Sequence, residues 1–485
     1  AAARGTWMLV DGEWYCYDKN GDPYENTFCV SNGKDYYVGE DGMLVRSDWV
    51  EYDGDYYFVN SAGQKITNDW RLTTPYDDEG AEEEWYYFQS SGKMATGKKI
   101  VYKGSTYFFN SEGRMLTGWV TYDSDNAQNV DEANGFEDKM TFYADETGAR
   151  VESNWVLTTE PGVEEDDADA DYYYYWLKSN GQAATGKQSN IKGQMYFFDE
   201  QGRMLSGWVA ATKDDADETY YMEIDGENSD YVVNGDWEAV YYCGASDDGH
   251  AKKDKWIKTW RPADTYEEDE DEDEFWYWID KSGKIYVPTD TNAAAVGNKY
   301  SLEEGAFTEK TNGISISQKK INSKDYFFNE AGEMLSNFIL VTTPSADLTT
   351  GMYYFGGADD GSMKTGSISV KDDVDDTYKF YFETKGDNKG VGIVGNKSNK
   401  LYNYGMLIKS EDYKYEIADV NGHLFIVNQN GSIQRSNVEY KEDGDVLIDA
   451  NDFVFNKEND ADTWKYEIIS GTGVSASING NDLFN

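Results

Sequence analysis

Clusters of tryptophan and tyrosine are the residues of this sequence that are best suited to bind a ligand. Their flat rings can stack on the C–H faces of a sugar while Asp, Asn and Gln side chains hold its hydroxyls. The same rings can surround a quaternary ammonium group, because each cation–π contact contributes about 0.5–2 kcal/mol. Three clusters stand out, and from them we select as candidate ligand-binding residues Trp70, Trp85, Tyr87, Trp155, Trp176, Trp260, Trp276 and Trp278.

Any single ring in these clusters can instead serve the fold. Full burial of one such side chain contributes roughly 1.5–3 kcal/mol, so packing alone would retain it. A ligand-binding role is expected where Trp and Tyr cluster beyond what packing needs, as in Trp276-Tyr277-Trp278 with Trp256 nearby. The residues alone do not choose between a sugar and choline.

Residues that could perform catalysis are scarce. His250 and His423 are the only histidines, and neither lies in a motif with a partner. The sequence has no G-x-S-x-G, H-E-x-x-H, P-loop or C-x-x-C pattern. With 92 acidic residues, paired carboxylates arise by chance and do not indicate a glycosidase. We therefore predict a protein that is not an enzyme, and no organic cofactor is indicated.

Four acidic runs could hold a cation. Runs of like charge usually form solvated loops, and none of these has the spacing of an EF-hand. Calcium is the alternative, because hard cations take several carboxylate oxygens as ligands. No individual metal ligand can be named from these runs, which are Tyr76–Glu84, Val163–Asp171, Tyr266–Glu274 and Lys371–Asp376.

Charge and composition argue against several partners. The 485 residues carry a net charge of −49, which disfavours nucleic acid and anionic membrane surfaces, since both attract Lys and Arg. No apolar run approaches the ~18 residues of a membrane helix, so membrane insertion is not expected. Three cysteines cannot make a disulfide framework. We expect them to be buried apolar residues, with a Cys16–Cys29 bridge as the alternative.

The aromatic clusters lie on a repeated unit that is marked by a turn glycine. An aromatic strand ends four residues before it, as Tyr107-Phe108-Phe109 does before Gly113. We interpret Thr106–Trp119 (TYFFNSEGRMLTGW) as one β-hairpin whose turn is Asn110–Gly113. The base spacing is 21 residues, and clear instances of the glycine are Gly21, Gly42, Gly63, Gly92, Gly113, Gly148, Gly181, Gly202, Gly283 and Gly332.

These repeats predict an all-β fold, an elongated β-hairpin solenoid of about fourteen ~21-residue repeats with acidic insertions. NDWRLTTP (68–75) returns as SNWVLTTEP (153–161), which indicates tandem duplication of a larger block. The glycine pattern stops near Tyr440. We therefore assign 1–439 to the repeat array and 440–485 to a β-rich terminal cap or assembly segment, since arrays need capped ends. No segment has a helical period, so almost no helix is expected.

The motif resembles the cell-wall-binding repeats of Gram-positive surface proteins, including choline-binding and glucan-binding repeats. An aromatic run, four residues to Gly, and then x-Met-x-Thr-Gly-Trp carry this resemblance, best in Trp85–Gly97, Thr106–Trp119 and Met195–Trp208. The resemblance implies a β-hairpin solenoid in which ligands lie between successive hairpins. It also implies that the aromatic residue that opens the family's aromatic strand is matched by Trp14, Trp85 and Trp276. The family's inter-hairpin tryptophan is matched by Trp49, Trp70, Trp119, Trp155 and Trp208.

We therefore expect a protein that is secreted or on the cell surface of a Gram-positive bacterium. Its expected function is non-catalytic binding of a polysaccharide or cell-wall polymer, either choline-bearing teichoic acid or a glucan-like chain. The alternative is a structural surface protein, such as an adhesin shaft or a self-assembling filament whose exposed strand edges pair with one another. A third hypothesis is an adhesin whose acidic insertions contact a host protein.

Overall fold

A computed structural model describes residues 2–133, 135–136, 140–224, 239–262, 274–289, 293–458 and 462–485. The described residues are all-β, and their one helical element is a short 3-10 turn at Asp462–Trp464. None of them forms a helix that is long and apolar enough to cross a membrane. The chain divides into two units, residues 1–223 with 243–251 and residues 224–242 with 252–485.

The first unit consists mainly of short antiparallel hairpins in which consecutive strands pair with each other. β11 is an exception, since it pairs with both β12 and β13. The strands are β1 (Thr6–Val10), β2 (Glu13–Tyr17), β3 (Thr27–Ser31), β4 (Lys34–Val38), β5 (Asp48–Tyr52), β6 (Asp55–Val59), β7 (Asp69–Thr73), β8 (Glu84–Phe88), β9 (Lys98–Tyr102), β10 (Ser105–Phe109), β11 (Gly118–Asp123), β12 (Asn126–Asn129), β13 (Thr141–Ala144), β14 (Asn154–Thr159), β15 (Tyr172–Leu177), β16 (Gly186–Ile191), β17 (Gln194–Phe198), β18 (Trp208–Lys213) and β19 (Thr219–Glu223).

The second unit begins with similar hairpins and continues into larger sheets. Its strands are β20 (Ala239–Tyr242), β21 (Lys255–Trp260), β22 (Glu274–Ile279), β23 (Ala295–Glu303), β24 (Ala306–Ile321), β25 (Lys324–Phe328), β26 (Phe338–Thr343), β27 (Gly351–Tyr354), β28 (Gly366–Lys371), β29 (Thr377–Phe382), β30 (Gly395–Lys397), β31 (Lys400–Asn403), β32 (Met406–Leu407), β33 (Tyr415–Val420), β34 (His423–Asn428), β35 (Ile433–Gln434), β36 (Glu439–Glu442), β37 (Asp445–Asp449), β38 (Val454–Phe455), β39 (Ile468–Ser470) and β40 (Ile478–Asn479). Two five-stranded sheets have the orders β25-β24-β23-β26-β27 and β28-β29-β32-β31-β30.

The position of the hairpin within the repeat differs from the one we predicted. The aromatic strand β10 pairs with the preceding strand β9, and only an isolated Phe109–Met115 bridge follows it. Lys103 and Gly104 join these strands with φ angles of 47° and 84°. Two-residue turns of this kind match the twist of paired strands. The interpretation of Asn110–Gly113 as the hairpin turn is therefore wrong, because the tighter turn lies before the aromatic strand.

The turn glycine has two roles where the preceding repeat carries a methionine two residues after its own glycine. At Gly113 the backbone has a φ of 83°, a left-handed conformation that glycine tolerates best. A Cβ atom there would lie 2.4 Å from Sδ of Met94, which belongs to the preceding repeat. Gly148 leaves space in the same way for Met115, whereas Gly63 and Gly92 face Leu44 and Lys65 at this place.

Backbone hydrogen bonds join consecutive hairpins at a fixed position. The amide of Met115 donates to the carbonyl of Trp85 at 3.0 Å. Met94 bonds to Tyr56 in the same way at 2.9 Å, and Met334 to Trp276 at 3.0 Å. Because an isolated hairpin is only marginally stable, these contacts and the shared rings stabilise each repeat through its neighbours.

The C-terminal residues contribute to the second unit through both sheets and core. β40 pairs in parallel with β33, and Phe484 forms a bridge with Phe307. Leu483 packs in the same apolar cluster as Phe307 and Phe425. The division into 1–439 and 440–485 stays a prediction.

The cysteines are buried, as expected. Cys16 and Cys29 are fully buried thiols in one apolar cluster with Val38, and Cys243 is buried as well. Burial raises the pKa of the Cys29 thiol to about 12. These two cysteines therefore act as small apolar core residues.

Candidate functional site

Several of the hairpins place a tryptophan of their first strand opposite an aromatic ring of their second strand. Trp70 is the register partner of Tyr87, and their ring centroids lie 5.2 Å apart. Trp155 is paired in the same way with Trp176, at 5.3 Å. Because paired residues of antiparallel strands share one face of the sheet, each pair presents an aromatic surface to its surroundings.

The following hairpin completes this aromatic contact. The ring of Trp70 lies 4.9 Å from Tyr107 and 5.4 Å from Phe109. Trp155 lies 4.8 Å from Tyr196, again one hairpin further along the chain. Edge-to-face and tilted contacts of this kind are favourable for aromatic rings. Packing between hairpins is therefore one role of the first-strand tryptophans.

Trp85 differs from these rings because it is exposed. It lies opposite Leu72 and is 41% exposed, whereas Tyr87 is 7% exposed. Its ring meets Trp70 edge-on at 6.2 Å. We call the open corner formed by Trp70, Trp85 and Tyr107 the Trp85 cage. It contains two of the predicted residues and one ring, Tyr107, that we did not select.

Trp155 and Trp176 contact each other, but the position that corresponds to Trp85 is not a tryptophan in this hairpin. That position, opposite Leu157, is held by Tyr174. Trp176 is half-buried, and the Lys192 ammonium lies 5.9 Å from its ring centroid. Tyr174 therefore holds the same register position that Trp85 holds in the Trp85 cage.

The predicted group around Trp276 is divided. Trp278 is the register partner of Trp256 at 5.5 Å and is nearly buried. Trp276 lies one pair further along, opposite Lys258, and its Nε1 donates to Asp359 at 3.0 Å. Lys258 also contacts that carboxylate, at 2.9 Å. The indole N–H of Trp276 is thus already bound within the chain.

Trp260 lies outside this group. It ends β21 opposite Glu274, and its ring is 6.1 Å from that of Tyr242. The structure therefore unites Trp278 with Trp256 and separates both from Trp260. Whether any of the selected residues binds a ligand stays a prediction.

The clearest aromatic cavity lies at Trp7, Trp14 and Tyr36, which were absent from our selection. Trp7 and Tyr36 meet edge-on at 5.9 Å, and Trp14 is 37% exposed. They line a cavity of about 250 Å³ together with Ser31, Leu44, Arg46 and Ala62. We call this set the Trp14 cage. The sequence contains a signal for this cage, because Trp14 precedes Tyr15 in the same way as Trp85 precedes Tyr86.

The polar residues of the Trp14 cage indicate which ligands it can bind. None of the lining residues carries a carboxylate, although the chain as a whole is strongly acidic. The guanidinium of Arg46 would repel a quaternary ammonium group. The same group and the Ser31 hydroxyl can hydrogen-bond the hydroxyls of a sugar. The cage is therefore chemically better suited to carbohydrate than to choline.

A larger and more acidic cavity lies beside Trp119. It has a volume of about 530 Å³ and is lined by Trp119, Tyr143, Thr159 and several carboxylates, including Glu165. Trp119 is nearly buried, and its Nε1 donates to the carbonyl of Thr159 at 2.9 Å. Burial raises the pKa of Tyr143. This cavity offers hydrogen-bonding groups and little exposed indole surface.

The acidic insertions do not form a metal centre in the described part of the chain. There, no three or more His, Cys, Asp or Glu side chains are grouped so that they could hold a metal ion. The run at Lys371–Asp376 is a hairpin turn, in which the Asp372 carboxylate accepts the amides of Val374 and Asp376. The run at Tyr266–Glu274 lies outside the described residues except for Glu274.

Comparison with known proteins finds one curated relative among Gram-positive glucosyltransferases. Glucosyltransferase-S of Streptococcus mutans is 30% identical over 200 residues, which is 41% of this chain and 11% of that protein. The chain thus matches a small part of its relative. No protein-family profile matches the sequence.

Similar solved structures come from Streptococcus pneumoniae. The modular autolysin LytC is 17% identical, with 70% of this chain and 53% of that chain covered and a TM-score of 0.35. The choline-binding domain of CbpL is 23% identical, covering 52% and 98%, with a TM-score of 0.30. Choline binding protein F is 16% identical, covering 90% and 100%, with a TM-score of 0.29. The predicted resemblance to cell-wall- and glucan-binding repeat proteins is confirmed.

Proposed function

We propose that this chain binds carbohydrate without catalysis, holding a polysaccharide or cell-wall polymer in aromatic cages between successive hairpins. The observation that carries the proposal is the Trp14 cage, where an exposed indole faces a cavity of about 250 Å³. A ring that only packed would be covered by its neighbours. The exposed Trp85 at the equivalent position in β8 supports the same role.

We propose a sugar, and not a quaternary ammonium group, as the guest of these cages. The support is electrostatic, since Arg46 lines the Trp14 cage and no lining residue offers an opposite charge for a cation. The stretch that matches a glucosyltransferase supports a glucose polymer as the first ligand to test. Choline is the competing ligand that the experiment below includes.

Several weak cages on one chain would bind a long polymer strongly, because each bound site raises the effective concentration of the next. We also propose the predicted architecture, an elongated solenoid of about fourteen repeats. Small-angle scattering would measure the elongation of the chain. The proposed location is outside a Gram-positive cell, where such polymers occur.

Co-sedimentation with insoluble α-glucan and with purified Gram-positive cell walls tests the proposal. We expect the chain to bind one of these polymers. We expect Trp14→Ala and Trp85→Ala each to weaken that binding. Tyr413→Ala is the matched control, because Tyr413 is 54% exposed and lies in neither cage. Equal loss for all three variants, or release by millimolar choline alone, would contradict carbohydrate cages.

Self-assembly into a surface filament stays the alternative prediction. Light scattering on the same samples distinguishes it, since a filament would grow with protein concentration in the absence of any polysaccharide. A monodisperse chain that binds polymer favours the carbohydrate proposal.

A further inference from the structure

A third cage of the same type lies at Trp49, Tyr56 and Tyr86. These residues occupy the positions that Trp70, Trp85 and Tyr107 occupy in the Trp85 cage. Trp49 lies 6.4 Å from Tyr56 and 4.8 Å from Tyr86, with the rings edge-on in both contacts. We call this set the Trp49 cage.

The Trp49 cage already contains a ring from another part of the chain. Tyr76, the first residue of the first acidic insertion, stacks on Tyr56 with a centroid distance of 3.9 Å and an interplanar angle of 24°. Its ring also lies edge-on to Trp49 at 5.5 Å. A flat ring stacked on the outer aromatic residue is the arrangement that a bound sugar would adopt in the open cages.

The segment that carries Tyr76 is fixed on both sides. Before it, the Nε1 of Trp49 donates to the carbonyl of Thr74 at 2.8 Å. After it, Asp77 lies 3.7 Å from the Arg114 guanidinium. We call residues 74–77 the insertion strap. Partial burial of this ring raises the pKa of Tyr76.

The second copy of this block provides an internal comparison. Thr159 corresponds to Thr74, and its carbonyl accepts a hydrogen bond from the Nε1 of Trp119 at 2.9 Å. The sequence then differs, because Pro161 and Gly162 stand where the first copy has Tyr76 and Asp77. In the second copy the cavity of about 530 Å³ lies at this place, lined by Trp119, Thr159 and Gly162 among others. The hydrogen bond from the tryptophan to the threonine carbonyl is retained in the second copy, and the ring that fills the space is not.

We infer that the Trp49 cage is a further carbohydrate-binding site, which Tyr76 keeps closed. The inference rests on the proposed function of the open cages, since the guest would be the same class of sugar. A polysaccharide chain that displaces the insertion strap would gain this site in addition to the open ones. The first acidic insertion thereby limits how many cages of the chain are available.

Calorimetric titration with a defined α-1,6-linked glucose oligomer tests this inference on the full chain. Tyr76→Ser should raise the binding stoichiometry by one site. Tyr76→Phe should match the unmodified chain, because it retains the stacking ring. Adding Tyr56→Ala to Tyr76→Ser should remove the extra site.

The outcomes separate the inference from the proposed function. If the unmodified chain binds and folded Tyr76→Ser gains no site, the inference is overturned and the open cages stand. If only Tyr76→Ser binds, the inference holds and the open cages fail, whereas binding by neither overturns both. Should Tyr76→Ser not fold, the combined variant Pro75→Glu, Tyr76→Pro and Asp77→Gly reproduces the chain's own second-copy sequence and carries the same expectations.

Discussion

Trp7 and Tyr36 belong to consecutive hairpins, and their rings meet edge-on at 5.9 Å beside an open cavity. Under the proposed function, this one arrangement would serve both the fold and ligand binding. The edge-on contact joins two hairpins, and the space next to it can hold a third ring or a bound sugar. Trp14 and Tyr76 represent the two ways in which that space is used, open in one cage and filled in another.

Truncating the two tryptophans of the Trp85 cage should have different consequences. Trp70 contacts five rings, whereas Trp85 is 41% exposed. We expect Trp70→Ala to lower the free energy of unfolding by about 2–4 kcal/mol, and Trp85→Ala to lower it by less than about 1 kcal/mol. Urea denaturation followed by circular dichroism measures both. A larger loss for Trp85→Ala would mean that this ring is structural.

Two glycines with the same backbone conformation should respond differently to alanine. Gly113 and Gly104 have φ angles of 83° and 84°. A Cβ on Gly113 would meet Met94, whereas a Cβ on Gly104 would meet no atom within 4 Å. Both variants should lose about 1–2 kcal/mol from the left-handed backbone, and Gly113→Ala should lose more. Thermal unfolding compares them, and adding Met94→Ala should restore part of the difference.

The thiol of Cys29 should be inert in the native chain. Burial raises its pKa to about 12, so the fold favours the neutral thiol. Its contribution to stability is complete below the ordinary thiol pKa and is lost as the pH rises towards about 12. Labelling with a disulfide reagent at neutral to mildly basic pH should therefore be slow until urea is added. Rapid labelling of the folded chain would contradict this burial.

Reversing the charge at Arg46 should change the preferred guest. Its guanidinium lines the Trp14 cage, where it opposes a quaternary ammonium group. We expect Arg46→Glu to increase choline affinity, since a carboxylate attracts the cation that the guanidinium repels. Fluorescence titration with choline measures the change, with Arg435→Glu as a control outside the cage. Tight choline binding by the unmodified chain would argue against our choice of sugar.

The sequence predicted the all-β class, because aromatic strands recur at a fixed spacing around a turn glycine, and Trp70 and Tyr87 were both among the selected candidate residues. The hairpin boundaries were misplaced, although Asp11-Gly12, Asn32-Gly33 and Asp53-Gly54 before the aromatic strands were a usable signal for two-residue turns.

Other features depend on contacts that spacing does not encode. Trp276 bonds to Asp359, which lies 83 residues away in the chain. Tyr76 stacks on a hairpin that precedes its own insertion, and an acidic run gives no indication of where it docks. The open cavity at Trp14 depends on the small side chains around it, such as Ser31 and Ala62, as much as on the ring itself.

Mapping of tryptophan oxidation by mass spectrometry tests most directly whether a sugar occupies the cages. The chain would be treated with limiting N-bromosuccinimide, with and without a saturating α-1,6-linked glucose oligomer. Our account predicts that Trp14 and Trp85 oxidise readily in the free chain and are protected by the oligomer, while nearly buried Trp119 changes little. Equal oxidation of Trp14 and Trp85 in both samples would contradict the claim that the guest lies between the hairpins.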